Sequence, residues 1–413
     1  MRRVLITGLG IVSSIGNSKA AALHSLLKSC SGIEHVPEMK DLGFRCTVAG
    51  SVKSRQEIDP RIPRKHLQSM SDTARFAAGA ASEAMQDAGL TPADVRSERA
   101  AIVVGGSFGG LNEAVKLHRA FRMHKTASRL GIVGAVRIMG STASANLAAL
   151  FGLQGRACSI CSSCSSGLDN IGVAYDMITN DRADLCICGA AEERTWMHVG
   201  PYFDNWAGMP SRWNVLPEAA CRPYDRDREG TVFSEGAGIL VVEELELALQ
   251  RKARPYAEIV GYGSANDRAD MFQPNGSGLR ECLAQALTRA SQGHVHNIDY
   301  INSHATGTRI GDAVEAAVIS ETFGTGGPPV SSVKGLIGHA MGAAGAIETV
   351  LTLLMIEHGF IAPTTNLEHV SDECAGIKHV QTIIQRPIES VMKISSGLGG
   401  TTACLAFRKW KAA

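Results

Sequence analysis

Ala157-Cys158-Ser159-Ile160-Cys161-Ser162-Ser163-Cys164-Ser165-Ser166-Gly167-Leu168 is the stretch on which the reading of this chain turns. Ala157–Cys161 reads as a strand, Ser162–Cys164 as a Ser-rich turn, and a helix follows from about Ser165 to Thr179. A strand, a sharp turn and a helix together set a side chain at the helix N-terminus. There the positive end of the helix dipole favours a thiolate, and free backbone N–H groups can hold an oxyanion. Cys164 is therefore a candidate nucleophile, with a structural thiol as the alternative. The spacing Cys-Ser-Ile-Cys-Ser-Ser-Cys also invites a metal or iron–sulfur reading. Against it, Cys158 falls within an apolar strand, no fourth cysteine stands at cluster spacing, and Cys186 and Cys188 occupy another buried strand. Cys158, Cys161, Cys186 and Cys188 are read as buried structural thiols, and no metal site is assigned.

Working outward, apolar runs alternate with Ala-rich stretches. Val4–Leu9, Ala101–Gly106, Leu185–Gly189 and Ala237–Glu243 read as strands. Asp72–Gly89 reads as a helix with Asp72 near its start and Gly89 closing its end, and Ser141–Phe151 as another. Such alternation indicates an α/β fold with largely buried sheets. A charged helix over Glu244–Arg254, with a new strand opening at Pro255, divides the chain into 1–250, which carries Cys164, and 251–413. The order of elements then repeats. Ala257–Gly263 echoes Val4–Gly10, Ser277–Ser291 echoes Asp72–Gly89, and Tyr300–Ser303 echoes Ala101–Gly105. Val330–Val333, Gly-rich turns and a helix over Ala343–His358 echo the unit around Cys164. No residue-level identity accompanies the echo, which rests on element order alone. It implies two similar halves with a site where they meet. Tyr202–Glu229, rich in Pro, Gly and charge, reads as an irregular surface excursion.

The bulk numbers narrow the function. A chain of 413 residues, 45% hydrophobic and 20% charged, has the balance of a soluble globular protein with a large core. With 41 basic and 40 acidic side chains the net charge is +1, which argues against a dedicated nucleic-acid binder. No run of about 18 apolar residues predicts a membrane span. The apolar run after Met1-Arg2-Arg3 is too short for a secretion signal and reads as a first strand. Eleven scattered cysteines in so large a chain are most simply reduced thiols in a cytoplasm.

Two further segments bear on Cys164. Asn302-Ser303-His304-Ala305-Thr306-Gly307-Thr308 ends a strand with a histidine among small residues. Ser332-Val333-Lys334-Gly335-Leu336-Ile337-Gly338-His339 does the same with a lysine and a second histidine, then enters a helix. Singly, each histidine is more often a satisfied structural residue. Together they offer a thiol and two imidazoles, each in a Gly/Ser-rich turn after a buried strand.

This constellation resembles the β-ketoacyl synthases, in particular the discrete elongating enzymes of type II fatty acid and polyketide synthesis. The resemblance runs from Val4-Leu5-Ile6-Thr7-Gly8-Leu9-Gly10 to Gly397-Leu398-Gly399-Gly400-Thr401. Its most specific parts are Ser163-Cys164-Ser165-Ser166-Gly167, Asn302-Ser303-His304, Gly311-Asp312, Val333-Lys334 and Gly338-His339-Ala340-Met341-Gly342-Ala343-Ala344-Gly345. Arg222-Pro223-Tyr224-Asp225 and Glu235-Gly236-Ala237-Gly238 add to it. The resemblance implies a thiolase-like fold, two related βαβαβαββ halves in a five-layer α-β-α-β-α arrangement.

It also implies roles. Cys164 captures an acyl group from a thioester. Malonyl thioester then loses CO2, and His304 and His339, as neutral imidazoles, donate to the developing enolate. Lys334 supplies field or a structural hydrogen bond. The backbone N–H groups of Cys164 and Leu398 form the oxyanion hole, and Thr306 and Thr308 meet the pantetheine arm. Phe108 lines the acyl tunnel. Asp312, Glu315 and Glu348 support the histidine loops, and Arg61, Arg64 and Lys65 present a patch to an acidic acyl carrier protein. No resident cofactor is needed, since malonate carries the latent carbanion and phosphopantetheine arrives on the carrier. A homodimer is implied, or a heterodimer with a chain-length-factor-like homologue, with no nucleic acid or membrane as partner.

Departures from the family pattern shape further expectations. The family loop Asn-Ser-Phe-Gly-Phe-Gly-Gly-Thr-Asn here reads Ile394-Ser395-Ser396-Gly397-Leu398-Gly399-Gly400-Thr401-Thr402, so both aromatics are gone, including the gate beside the cysteine. His304-Ala305-Thr306 replaces His-Gly-Thr. These changes point to a specialised polyketide or polyene pathway. The alternatives are a non-catalytic chain-length subunit, which lacks the nucleophile, and another acyltransferase on the same fold. A degradative thiolase needs a second cysteine; Cys404 lies near the C-terminus but in a strand that fits the core.

Overall fold

The computed structural model describes residues 2–126, 131–206, 208–268 and 270–411. Its frame is ten strands: β1 (Val4–Ser13), β2 (Ala100–Gly105), β3 (Arg156–Cys158), β4 (Leu185–Glu192), β5 (Gly236–Glu244), β6 (Ala257–Asn266), β7 (Tyr300–Asn302), β8 (Pro329–Ser331), β9 (Ser390–Ser396) and β10 (Thr401–Lys409). Six helices pack on them: α1 (Asp72–Asp87), α2 (Thr142–Phe151), α3 (Ser166–Thr179), α4 (Ser277–Gln292), α5 (Arg309–Phe323) and α6 (Ala344–His358).

The strands lie in the order β3-β2-β4-β5-β1-β6-β10-β9-β7-β8, with the two-residue strand Lys378–His379 at the outer edge. Read within each half, the order is third, second, fourth, fifth, first, twice over. In both halves the fifth strand runs antiparallel to its neighbours and the rest are parallel. The element repeat anticipated from the sequence is thus a repeat of topology. The halves join where β1 meets β6, through the pairs Val4↔Ile259, Leu5↔Glu258 and Ile6↔Ala257.

Three slabs of core separate the layers. Successive strand residues face opposite ways, and the core follows that alternation. Leu185 and Ile187 of β4 pack outward on α1 and α2, while Cys186 and Cys188 face the central slab with α3 and α6. On the other side Met392 and Ile394 of β9 face α4 and α5, and Val391 faces the centre. The result is helix, sheet, helix, sheet, helix. α6 is buried along its length from Ala344 to Ile356, as a helix between two sheets must be, and its sequence is apolar nearly all round. Ser71 caps α1 by accepting from Ala74 N–H, and Gly89 follows its end at φ +68°, the left-handed conformation glycine adopts without strain.

The halves share one contact at residue level. Strands and outer helices approach so closely that only glycine fits. A Cβ on Gly8 or Gly10 would sit 2.2 or 1.9 Å from the carbonyl oxygens of Ala84 and Ala80, and on Gly261 or Gly263 2.2 or 2.1 Å from those of Ala286 and Cys282.

Some local expectations change. The strand read over Ala157–Cys161 ends at Cys158, leaving Cys158 half-buried and Cys161 exposed, so neither is the fully buried thiol anticipated. The reason is position: β3 is the last strand on its edge, with a neighbour on one side only. Tyr202–Glu229 is only partly a surface excursion. It begins within a helix spanning Trp196–Asn205, and further on Arg222, Tyr224, Asp225 and Arg228 are buried. No helix among the described residues is long and apolar enough to cross a membrane. Gly263→Ala should push β6 from α4 and cost roughly 1–3 kcal/mol; denaturant unfolding with an unchanged midpoint would contradict the close approach.

Candidate active site

The nucleophile candidate sits in a turn held by its own serines. Ser163 takes φ +56°, a left-handed conformation costly for a side chain other than glycine, and Cys164 follows it. Ser166 Oγ donates to Ser163 O (2.6 Å) and accepts from Ser162 N–H (2.9 Å), while Ser165 Oγ donates to Ser162 O (2.6 Å). The other half of the molecule completes the clamp. Thr401 Oγ1 donates to Ser162 O (2.9 Å) and Ser395 Oγ to Cys164 O (3.0 Å).

The two imidazoles reach the same place from β7 and β8. His339 Nε2 lies 3.1 Å from Cys164 Sγ. The His304 and His339 rings stand edge to face, centroids 5.3 Å apart. The backbone of His339 is fixed on both sides, its N–H donating to Val232 O (2.7 Å) and its carbonyl accepting from Ser234 N–H (2.9 Å). His304 is fixed by Glu315, which accepts from the N–H groups of His304 (2.6 Å) and Ala305 (2.8 Å) and from Tyr224 Oη (2.8 Å). Asp312 accepts from the N–H groups of Thr306 (3.0 Å), Gly307 (3.2 Å) and Tyr224 (2.8 Å). Burial pushes Asp312 up to about 7, although these N–H groups and Arg228 pull the other way.

Lys334 and Glu348 are both fully buried and paired. Sequence reading missed a third member: Lys393 on β9, fully buried, with Nζ 2.6 Å from Glu348 Oε2. It also missed Arg228, buried and donating to Thr308 O (3.2 Å) and Arg309 O (2.9 Å) at the start of α5. The available signal was a cation inside an otherwise apolar strand, Val391-Met392-Lys393-Ile394.

The electrostatics follow from this packing. Burial, then the charge of Lys334, holds both His304 and His339 well below the ordinary imidazole range, so both are neutral. Cys164 is half-buried by exposed surface, yet desolvation of its sulfur pushes the thiol up to about 11. The thiolate anticipated from the helix N-terminus is therefore not the resting state; removal from water outweighs the dipole. Leu398 N–H, across the Gly397 turn, is directed at the sulfur. Gly397 packs so tightly that a Cβ there would lie 2.8 Å from Cys164 N.

Other anticipated residues fall in different places. Thr306 Oγ1 donates to Thr308 Oγ1 (3.3 Å) just before α5. Arg64 and Lys65 are exposed and make no ion pair among the described residues, while Arg61 is half-buried. Phe108 is 40% exposed and stands on the loop beyond the end of β2; its neighbour Ser107 reaches the turn, donating to Ser163 O (3.4 Å). Cys404 is buried in the outer core beside Cys282, away from the cysteine–histidine cluster.

Residues 1–248 match the family model for the beta-ketoacyl synthase N-terminal domain, and 256–368 that for the C-terminal domain. A 3-oxoacyl-[acyl-carrier-protein] synthase 1 of Escherichia coli (strain K12) is 40% identical over 412 residues, covering 100% of both chains. The solved ishigamide ketosynthase/chain length factor superposes with a TM-score of 0.89 at 31% identity, covering 99% of this chain and 100% of that one. The structure of AntDE:AntF, a type II PKS acyl-carrier protein in complex with its ketosynthase bound to the hexaketide, gives a TM-score of 0.86 at 28% identity, covering 99% and 100%.

Glu348→Gln would leave two buried ammonium groups without their carboxylate. The expected loss is about 3–5 kcal/mol, read from denaturant unfolding; a stability within error of wild type would contradict the arrangement.

Proposed function

The chain belongs to the β-ketoacyl synthase family, and on that premise we propose how its residues carry out the decarboxylative condensation of an acyl thioester with malonyl-acyl carrier protein. It is an acyltransferase of fatty acid or polyketide biosynthesis. The observation that carries the residue assignment is the 3.1 Å approach of His339 Nε2 to Cys164 Sγ, with His304 beside it.

In the first half-reaction His339, protonated at Nδ1, accepts the thiol proton at Nε2 as Cys164 Sγ attacks the acyl thioester carbonyl. The N–H groups of Cys164 and Leu398 hold the oxyanion. The carrier's pantetheine sulfur departs and takes the proton from Nε2, leaving acyl-Cys164. In the second, the malonyl carboxylate leaves as CO2, and the electrons of the broken C–C bond form an enolate on the thioester. His304 donates an N–H to the enolate oxygen. His339 joins it in its Nε2–H tautomer, since the acylated sulfur has no proton left to give. The enolate carbon attacks the acyl-Cys164 carbonyl and expels the Cys164 thiolate, which takes up a proton from solvent water. Neutral imidazoles suit this task because each donates without carrying a charge that burial would penalise.

Thr306 and Thr308 are proposed to meet the pantetheine arm. Arg64 and Lys65, with Arg61 behind them, are proposed to steer an acidic carrier protein. No resident cofactor is assigned. The proposed assembly is a dimer, with itself or with a chain-length-factor-like homologue. Exposed Phe108, Phe121, Ile132 and Ile138, all within one stretch of chain, support a covered face there. Ser396 and Leu398 stand where the family loop carries phenylalanine, which supports placement in a specialised polyketide or polyene pathway.

Intact-mass measurement after mixing with acyl carrier proteins of increasing chain length tests this reading. Wild type should gain an acyl adduct and release a β-ketoacyl product on adding malonyl carrier protein. Cys164→Ala should gain none, and His304→Ala should keep the adduct but lose condensation by about 10²–10⁴-fold. An adduct persisting in Cys164→Ala would refute the nucleophile, and efficient elongation of long saturated donors would contradict the specialised pathway.

A further inference from the structure

Lys393 has no part in the roles assigned so far, yet it is among the most deeply buried charges in the molecule. Its neighbours Met392 and Ile394 face the outer core, so its own side chain enters the central slab beneath the histidines. There it makes three contacts: an ion pair with Glu348 Oε2 (2.6 Å), and hydrogen bonds to the carbonyls of Ile394 (2.6 Å) and Ser303 (3.3 Å). The last contact bears on the chemistry. Ser303 C=O and His304 N–H belong to one rigid peptide unit. Lys393 holds its oxygen and Glu315 its N–H, the latter at 2.6 Å. The plane that sets the direction of the His304 side chain is thus gripped at both ends by opposite charges. Nothing comparable grips the peptide before His339, whose N–H bonds a backbone carbonyl.

Resting on the reading of His304 as the enolate donor, we propose that Lys393 is a positioning residue for condensation: it pins the Ser303–His304 peptide opposite Glu315 and shares Glu348 with Lys334, so that its charged form is required for malonyl-dependent condensation but not for acyl capture by Cys164. Capture uses the thiol, His339 and backbone N–H groups; Lys393 hydrogen-bonds none of them and reaches His339 only through its charge. The groups that face Lys393 are Glu348 from α6, Lys334 from the turn after β8, Glu315 from α5, and the two imidazoles. Burial, reinforced by Lys334, brings Lys393 down to about 8 against the pull of Glu348 and Glu315. It is charged below that pH and neutral above it. Condensation should therefore decline relative to capture as pH rises through about 8. Glu192, also pushed to about 8 by burial, acts on the Cys164 thiol and is present in wild type and variants alike, so only a decline lost on substitution at 393 reports Lys393.

The test separates the two half-reactions in wild type, Lys393→Met and Lys393→Gln. Acyl capture is read by intact mass, and single-turnover condensation is followed across the pH range around Lys393's titration. Both neutral variants should capture the acyl group within about twofold of wild type, condense about ten- to a hundredfold more slowly, and lose the high-pH decline. Normal capture also certifies that the variant has folded. Should both variants fail to capture, the wild-type profile decides: condensation falling relative to capture with rising pH supports the proposal, and parallel profiles overturn it. Condensation at the wild-type rate in a capturing variant, or a retained high-pH decline, also overturns it. Absence of any acyl-Cys164 in wild type would instead sink the functional reading beneath.

Discussion

The site depends on one steric fact: the two central helices begin against each other. A Cβ on Gly167, in the first turn of α3, would lie 2.6 Å from Ala346 N, and one on Gly345, in the first turn of α6, would lie 3.2 Å from Leu168 N. The contact is reciprocal, as the repeated topology of the halves requires. Side chains larger than hydrogen at either position would separate the helix starts. The turn before α3 carries Cys164, and the turn before α6 carries His339. Bringing the helix ends together is what brings the sulfur and the imidazole to 3.1 Å.

Around that contact the protein keeps reactive groups neutral and puts formal charge one layer below. His304, His339 and the Cys164 thiol are held neutral by burial. Lys334, Lys393 and Glu348 lie in the slab beneath, and Asp312 and Glu315 grip the loop backbone from α5. Each carboxylate is spent on backbone N–H groups or on an ammonium, so none competes for the reacting atoms. Hydrogen-bond donors fixed before reaction in a water-poor site need little reorganisation as an oxyanion forms. A proton passing from thiol to imidazole, not a preformed thiolate, fits the high resting affinity of Cys164 for its proton.

Much of this was legible in the sequence because turns after buried strands are marked by composition. Cys164, His304, Lys334 and His339 stand among Gly and Ser, and the structure gathers Cys164 and both histidines, with Lys334 paired to Glu348 behind them. The order of strands and helices revealed the repeat, though not the glycine pairs on β1 and β6 that make it physical. What failed to show was governed by tertiary context. Cys158 and Cys161 read as core until β3 proved to be an edge strand. Tyr224 and Arg228 lay in a stretch whose prolines and charges signalled surface, and only the contacts with α5 reveal their burial. Lys393 stands out locally as a cation in an apolar strand, but its partner, Glu348 on α6, is set by tertiary packing. Phe108 was placed by likeness alone, and the single chain leaves it exposed.

The central claim is that one cavity, at the junction of the halves, binds the acyl carbonyl and presents both imidazoles to it. A crystal structure of the Cys164-acylated protein tests this most directly. The account predicts the thioester oxygen within about 2.7–3.1 Å of the Cys164 and Leu398 N–H groups, with ring nitrogens of His304 and His339 lining the space next to the acyl carbon. An acyl oxygen turned away from both N–H groups, or a histidine facing a separate space, would contradict it.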